Sequence, residues 1–222
     1  MQVSVWDLKN NDYISHKQVK KDWSIACWSG KWLGKSAKHV YYVDRSNLSE
    51  KIILIDLRNM LDMADYVMTQ NGIKFDWPKI QARMMLNHIA PPSYFQHIDL
   101  YKEFKTVGFT SHSLDYLTDK FCKKYKKLHH TDFPGHTLWD ECEKNNPKAW
   151  QAMKKYNIHD VLSLEELYEN TKEWLPKVQF KLSHPITVCD RCGSKQFTNN
   201  GQRGLYWRKI CKGCGKHRQE NL

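Results

Sequence analysis

Two kinds of chemistry are readable from residue types and their spacing. The first is coordination by thiolates. Cys189-x2-Cys192 and Cys211-x2-Cys214 are two close pairs separated by 18 residues. Two such turns present four sulfurs that can close a tetrahedron around zinc. Gly193, Gly213 and Gly215 lie beside the second cysteine of each pair, where glycine permits a tight turn that aims backbone N–H groups at sulfur. A site closed by four thiolates folds a module and leaves no position open for catalysis. Between the pairs stand Arg203, Tyr206, Trp207, Arg208 and Lys209. Aromatic and basic residues interleaved on a small β-ribbon can stack on bases and hold phosphates; the alternative is a ribbon that serves only as scaffold.

The second chemistry is that of carboxylates. A hydrophobic strand over 66–69 runs into Asn71-Gly72, and Phe75-Asp76 then opens a helix with Pro78 in its first turn. A carboxylate at Asp76 lies beside a strand end, where sites in α/β folds gather. Further on, Tyr156 and Asp160 are four residues apart on a helix and share a face. A phenol and a carboxylate so placed can orient a metal-bound water. Taken singly, each has a plainer structural reading: Asp76 as an N-cap, Tyr156 and Asp160 as a polar pair on an amphipathic surface.

The elements that must position these residues alternate. Strands are expected over 3–6, 24–32, 39–43, 66–69 and 96–99, and helices over 48–63, 76–88, 114–124 and 147–174. Asn146-Pro147 supplies an N-cap followed by proline at the first helical position, and this last helix is expected to break near Asn157. Strands alternating with helices imply a layered α/β domain. The composition turns basic and Gly-rich between Pro176 and Pro185, giving a predicted division into residues 1–176 and 177–222.

Charge follows the same division. Ten basic and two acidic residues lie from Lys177 onward, so +8 of the net +11 charge belongs to that stretch. A basic tail on a near-neutral body points to a polyanionic partner, most simply nucleic acid. Lys123-Lys124-Tyr125-Lys126-Lys127 could track the backbone of a bound strand, or be a solvated helix end. His129, His130, Asp132 and His136 lack clean ligand spacing and read as a polar loop. No run of about 18 apolar residues is present, which argues against a membrane span, and the polar N-terminus does not read as a signal peptide. Seven cysteines, an odd number, argue for a reducing, cytoplasmic setting and against a disulfide framework. Trp23, Trp28, Trp32, Trp150 and Trp174 are expected in the core.

Several separated stretches fall in the order of a known family: Lys31-Trp32-Leu33-Gly34, the segment from Leu61 to Asp76, His97-Ile98-Asp99, Ser113-Leu114-Asp115-Tyr116-Leu117, Leu138-Trp139, Pro147 to Trp150, and Tyr156 to Tyr168. Together they resemble the DEDD superfamily of 3′–5′ exonucleases, in its tyrosine variant. More narrowly they are similar to the exonucleases related to family-B polymerase proofreading domains, often from phages, that end in a zinc ribbon. The resemblance implies a ribonuclease-H-like mixed sheet with flanking helices and a small C-terminal zinc ribbon. It implies that Asp76 and Asp160 bind two Mg²⁺ or Mn²⁺ ions, that Tyr156 positions the attacking water, and that the substrate is DNA rather than RNA. Asn71 and Phe75 would contact the 3′-terminal nucleotide, although Phe75 could equally be core. Asp99 would lie at a strand end near the site, and Asp115 at a helix start.

One motif departs from the pattern. The family carries Asp-x-Glu on its first, central strand, and no Asp-x-Glu occurs anywhere in these 222 residues. Val3-Ser4-Val5-Trp6 matches the stretch that follows that motif, so the first central strand is expected to be absent. A sheet lacking a middle strand exposes two unpaired edges. Three expectations follow: a second polypeptide supplies the Asp-x-Glu strand in trans by β-augmentation, the chain is an inactive relative kept for nucleic-acid binding, or the reading frame starts further upstream.

Overall fold

The computed structural model describes residues 2–3, 16–126, 128, 132–134, 136–176, 178, 189, 192, 194–203 and 206–221. β1 (Gln2–Val3) pairs antiparallel with β2 (Val19–Lys21); the rest of the strand expected over 3–6 lies outside the described residues. β3 (Cys27–Gly30) and β4 (Tyr41–Asp44) form an antiparallel pair with Trp28 opposite Val43. α1 (Glu50–Asp62) follows, opened by Ser49, whose hydroxyl accepts from the Ile52 amide. β5 (Tyr66–Thr69) and β6 (Gln96–Asp99) coincide with their predicted bounds and pair in parallel, Tyr66 opposite Gln96 and Thr69 opposite Asp99. A parallel pair needs a crossover, and α2 (Asp76–Leu86) provides it.

Side chains alternate across this parallel pair, so each face feeds a different core. On one face Met68, Ile98 and Tyr66 pack with Leu100 and Phe104 of α3 (Leu100–Phe104), Leu117 of α4 (Leu114–Phe121), and Leu167 and Tyr168 of α6 (Pro147–Thr171). On the other, Val67 and Phe95 pack with Ile53, Leu54, Leu57 and Leu61 of α1, Met84 of α2 and Trp28 of β3. Helices thus cover both faces, as in a layered α/β domain. A third cluster joins Leu138 and Cys142 of α5 (Thr137–Glu143) to Ala149, Trp150 and Met153 of α6. α5, α3 and β2 were not expected, being short elements with little periodicity.

α6 begins as predicted: Asn146 accepts from the Lys148 amide at 3.0 Å and Pro147 takes the first turn. The expected break near Asn157 does not occur. Asn157 Nδ2 donates back to the Met153 carbonyl at 3.0 Å, and its own carbonyl accepts from Ser29 Oγ of β3 at 3.1 Å. The side chain that could have interrupted the helix is satisfied on its surface. Lys31 and Glu165 explain part of the Lys31–Gly34 stretch: the ammonium, its side chain 3% exposed, pairs with Glu165 at 2.5 Å, and the Gly34 amide donates to the same carboxylate. Trp28 and Trp150 are buried, but Trp174 is 82% exposed and is not core; it stands on the 3-10 turn (Lys172–Trp174) after α6, past the end of the packed face.

At the C-terminal end, β7 (Phe197–Arg203), β8 (Tyr206–Cys211) and β9 (His217–Asn221) form a three-stranded antiparallel sheet in the order β7-β8-β9. Among the described residues the β3–β4 and β5–β6 pairs do not hydrogen-bond to each other. No helix there is long and apolar enough to cross a membrane.

Candidate functional site

The C-terminal end of β5 is where the carboxylates gather. Asp99 ends β6 and is buried. Its Oδ1 accepts from the Asn71 amide at 2.7 Å and the Tyr101 amide at 3.1 Å, and its Oδ2 from the Ile73 amide at 3.1 Å. One carboxylate therefore winds the loop after β5 and caps α3. That loop has demanding geometry. Asn71 sits at φ 62°, a left-handed conformation asparagine tolerates. A Cβ on Gly72 would lie 2.5 Å from Thr69 Oγ1, so only glycine fits.

The loop leads directly to Asp76, the first residue of α2. Asp76 is not the N-cap: Phe75 holds that position without a side-chain bond. Burial of its surroundings pushes the Asp76 carboxyl above its ordinary value, Lys79 pulls it down, and the charge of Asp99 pushes it up again. Asp76 as a residue is exposed, so water screens this shift. Phe75 is 54% exposed with the Lys79 ammonium 3.4 Å from its ring centroid, so it is not core.

The second group lies on α6 and α4. The Tyr156 hydroxyl donates to the Asp160 carboxylate, and burial, followed by the charges of Asp160 and Asp115, pushes the phenol up to about 12. It is a neutral donor throughout the physiological range. Asp115 is the second residue of α4, opened by Ser113, whose hydroxyl accepts from the Tyr116 amide at 3.2 Å. Gln70 of the loop after β5 donates to the His112 carbonyl at 2.9 Å. This bond ties the start of α4, where Asp115 lies, to the loop that Asp99 anchors; among the described residues no three of these carboxylates lie close enough to share one ion. Asp76 and Asp160 make no direct contact among the described residues: Asp76 is set beside Asp99, and Asp160 beside Tyr156 and Asp115. Four carboxylates and a phenol offer hard oxygen ligands of the kind Mg²⁺ and Mn²⁺ prefer. Asp99, committed to three amides, is suited to holding the loop rather than an ion. Asp99 at the end of β6 and Asp115 in the first turn of α4 stand where the sequence reading placed them.

Elsewhere, Cys189, Cys192, Cys211 and Cys214 bring their sulfurs within 4.8 Å of one another. The Cys189–Cys214 and Cys192–Cys211 sulfurs are 3.5 and 3.6 Å apart, close to the ~3.8 Å edge of a tetrahedron with ~2.3 Å metal–sulfur bonds. Against the rise that burial imposes, amides of Cys214 and Gly213 donate to Cys211 and lower it to about 6. Gly215 sits at φ 72° to close that turn. The four-cysteine cluster could hold a metal. The remaining thiols are inert: burial first of all raises Cys27 and Cys122 to about 12 and Cys142 to about 11. Arg208 and Lys209 lie on β8; Arg203 ends β7 and Trp207 belongs to β8, with side chains outside the described set. His129 and His130 are also outside it, and His136 precedes α5.

A family model of the RNase H superfamily (RNase_H_2) matches residues 14–172. The chain belongs to the RNase H superfamily. The match spans β2 to α6, and so contains every carboxylate described above. No curated protein and no solved structure shows significant similarity to the chain. Membership fits a nuclease-like fold, with helices on both sides of short sheets and acidic residues at a strand end.

Proposed function

We propose that this RNase H superfamily member is a metal-dependent 3′–5′ exonuclease acting on DNA. The observation that carries the reading is the pairing, inside the matched RNase H region, of Asp76 and Asp99 at the end of the parallel strands with Tyr156 and Asp160 on one face of α6. Asp76 and Asp160 would hold two divalent ions, which supply positive charge to the attacking and leaving oxygens of the scissile phosphate. The chain's own groups prepare that site. Tyr156, a neutral phenol, donates to Asp160 and fixes the carboxylate's orientation. Asp99 holds the loop that carries Asn71 and delivers Asp76. Asn71 and the exposed ring of Phe75 are placed to meet the 3′-terminal nucleotide.

Two further assignments belong to the same proposal. The C-terminal sheet with its four cysteines is a zinc ribbon, a module (177–222) distinct from the nuclease body (1–176), and Arg203, Trp207, Arg208 and Lys209 contact the nucleic acid. A second polypeptide carrying Asp-x-Glu completes the carboxylate set by β-augmentation; among the described residues β3–β4 and β5–β6 do not pair with each other, which is consistent with a strand added between them. The absence of Asp-x-Glu from the sequence favours a second reading, an inactive subunit that holds nucleic acid for a replication or repair complex.

The test uses a 5′-labelled single strand with Mg²⁺ or Mn²⁺. Stepwise 3′ shortening is expected, from the chain alone or on adding a polypeptide that bears Asp-x-Glu, and is lost with chelator and in Asp76→Ala and Asp160→Ala. Binding without cleavage under both conditions selects the binding subunit. Neither binding nor cleavage rejects both readings.

A further inference from the structure

A cavity of about 470 Å³ lies away from the carboxylates, lined by Arg58, Asn59, Asp62, Met63, Ser93, Arg208, His217 and Arg218. Its place follows from the topology. Asp62 and Met63 end α1 just before β5, and Ser93 precedes β6. The cavity is therefore at the N-terminal end of the parallel strands, opposite the end where Asp99 and Asp76 stand. Its other wall is the C-terminal sheet, through Arg208 of β8 and His217 and Arg218 of β9. The contact between the two parts continues next to it, where the Lys216 ammonium lies 3.8 Å from the Tyr94 ring centroid.

The lining is strongly cationic. It holds three guanidiniums and one carboxylate. That carboxylate is already committed: Asp62 Oδ2 pairs with Arg58 at 3.0 Å, and Asp62 Oδ1 accepts from the Ser93 amide at 2.6 Å. Among the described residues the buried Nε of Arg58 has no hydrogen-bond partner. Asn59 and Ser93 add neutral polar groups. A roomy cavity with an excess of guanidinium and donors in forks suits a phosphate with its attached sugar, since arginine binds phosphate oxygens in pairs. The basic C-terminal stretch, holding +8 of the +11 net charge, adds long-range attraction for a polyanion.

We propose that this cavity binds the phosphate backbone of a nucleic-acid strand, as an anchor separate from the carboxylate end of β5. The proposal rests on the nucleic-acid reading above and adds where the strand is gripped. An anchor at the far end of the sheet raises affinity without taking part in bond cleavage. It also makes the C-terminal sheet half of a binding site instead of an independent tail.

The experiment is an anisotropy titration of the intact chain with a labelled single strand, without added Mg²⁺ or Mn²⁺, over a range of salt. Arg208→Ala and Arg58→Gln should each weaken binding roughly tenfold and lower the salt slope by about 1. Asp62→Asn should tighten it, because it removes the only acid in the lining while keeping an acceptor for the Ser93 amide. A purely structural role for these residues would not give opposite signs. Lys38→Ala, at an exposed position remote from the cavity, should change little. Unaltered affinity and slope in both arginine variants, with circular dichroism matching the parent, overturns the proposal. So does competition by a free mononucleotide as strong, per phosphate, as by the strand, which would assign the cavity to small nucleotides. Cleavage measured separately keeps the two readings apart: weakened binding in Arg58→Gln together with a parent chain that stays inactive both alone and with an Asp-x-Glu polypeptide supports the anchor and rejects the nuclease.

Discussion

At Asp76 a helix start and the proposed metal-binding position make opposite demands. A carboxylate in the first turn of a helix is ordinarily favourable, yet desolvation and the charge of Asp99 hold Asp76 above its usual pKa. A raised folded pKa means that the ionised form costs stability: the cost is absent below the unfolded value near ~3.9 and grows as pH rises through the folded value. Asp76→Asn should therefore stabilise the fold at neutral pH by less than about 1 kcal/mol, because the residue is exposed, and the resulting rise in melting temperature should vanish towards pH ~3. Added Mg²⁺ should stabilise the parent more than the variant, since only the parent keeps the full ligand set. A variant less stable than the parent at neutral pH would show that the helix start governs. Tyr156 supplies a second test. Its phenol stays neutral well past neutral pH, so it acts as a donor and not as a base. Tyr156→Phe should lower cleavage about 10–100-fold, the range for losing a group that orients a ligand, and should leave the alkaline limb of the pH–rate profile in place. A lost alkaline limb would instead make the phenol the titrating group.

Between elements, the contact with most at stake is Glu50. From the first turn of α1 it accepts from Arg83 of α2 at 2.9 and 2.5 Å, from the Ile25 amide at 2.7 Å and from Asn87 at 3.3 Å. Burial raises its pKa, but these donors outweigh burial and the net shift is downward. A lowered folded pKa gives stability that is present above the ordinary carboxylate value, near ~4.3, and lost as pH falls through the lowered one. Glu50→Ala strands an Arg83 side chain only 15% exposed and should cost about 2–4 kcal/mol in chemical denaturation at neutral pH, with the difference shrinking in acid. A cost under about 0.5 kcal/mol would mean that Arg83 finds Asp22, 3.7 Å away, as a substitute. The same contact shows what the sequence could and could not disclose. β5, β6 and the start of α6 were legible because alternation, an Asn-Gly turn and an Asn-Pro cap are local signals. Glu50 with Arg83, Lys31 with Glu165 and Asp99 with Asn71 are pairings across the fold, and no period or spacing announces them. Asp76, Tyr156 and Asp160 could be picked out as a set only through their order in a family pattern. Asp115 was legible through the same pattern, but the Gln70–His112 bond that ties the start of its helix to the loop after β5 was not. The break expected at Asn157 failed for the same reason, since Ser29 lies on a distant strand.

For the molecule as a whole, the question is what holds the C-terminal sheet. Among the described residues from Phe197 to Asn221 only Cys211 is buried, and beside it Cys189 of the four-cysteine cluster. A unit of that size needs a metal, a partner surface or both to repay its chain entropy. The geometry supplies the first through sulfurs 3.5 and 3.6 Å apart within each contacting pair. It supplies the second through Lys216 on Tyr94 and the shared arginine-lined cavity. If zinc does most of this work, elemental analysis should find one zinc per chain, and Cys211→Ser should lose it. Withdrawing the metal should then melt the C-terminal sheet, seen as lost amide protection over 197–221, while helices α1 to α6 stay protected because their cores contain none of its residues. Affinity for a single strand should fall with the sheet, whereas cleavage at saturating substrate should not, since Asp76, Asp99, Asp115 and Asp160 all belong to the other part of the chain. If protection over 197–221 survives the loss of zinc, the sheet is held by its seat against α1 and the loop before β6, and the metal only fixes the two turns.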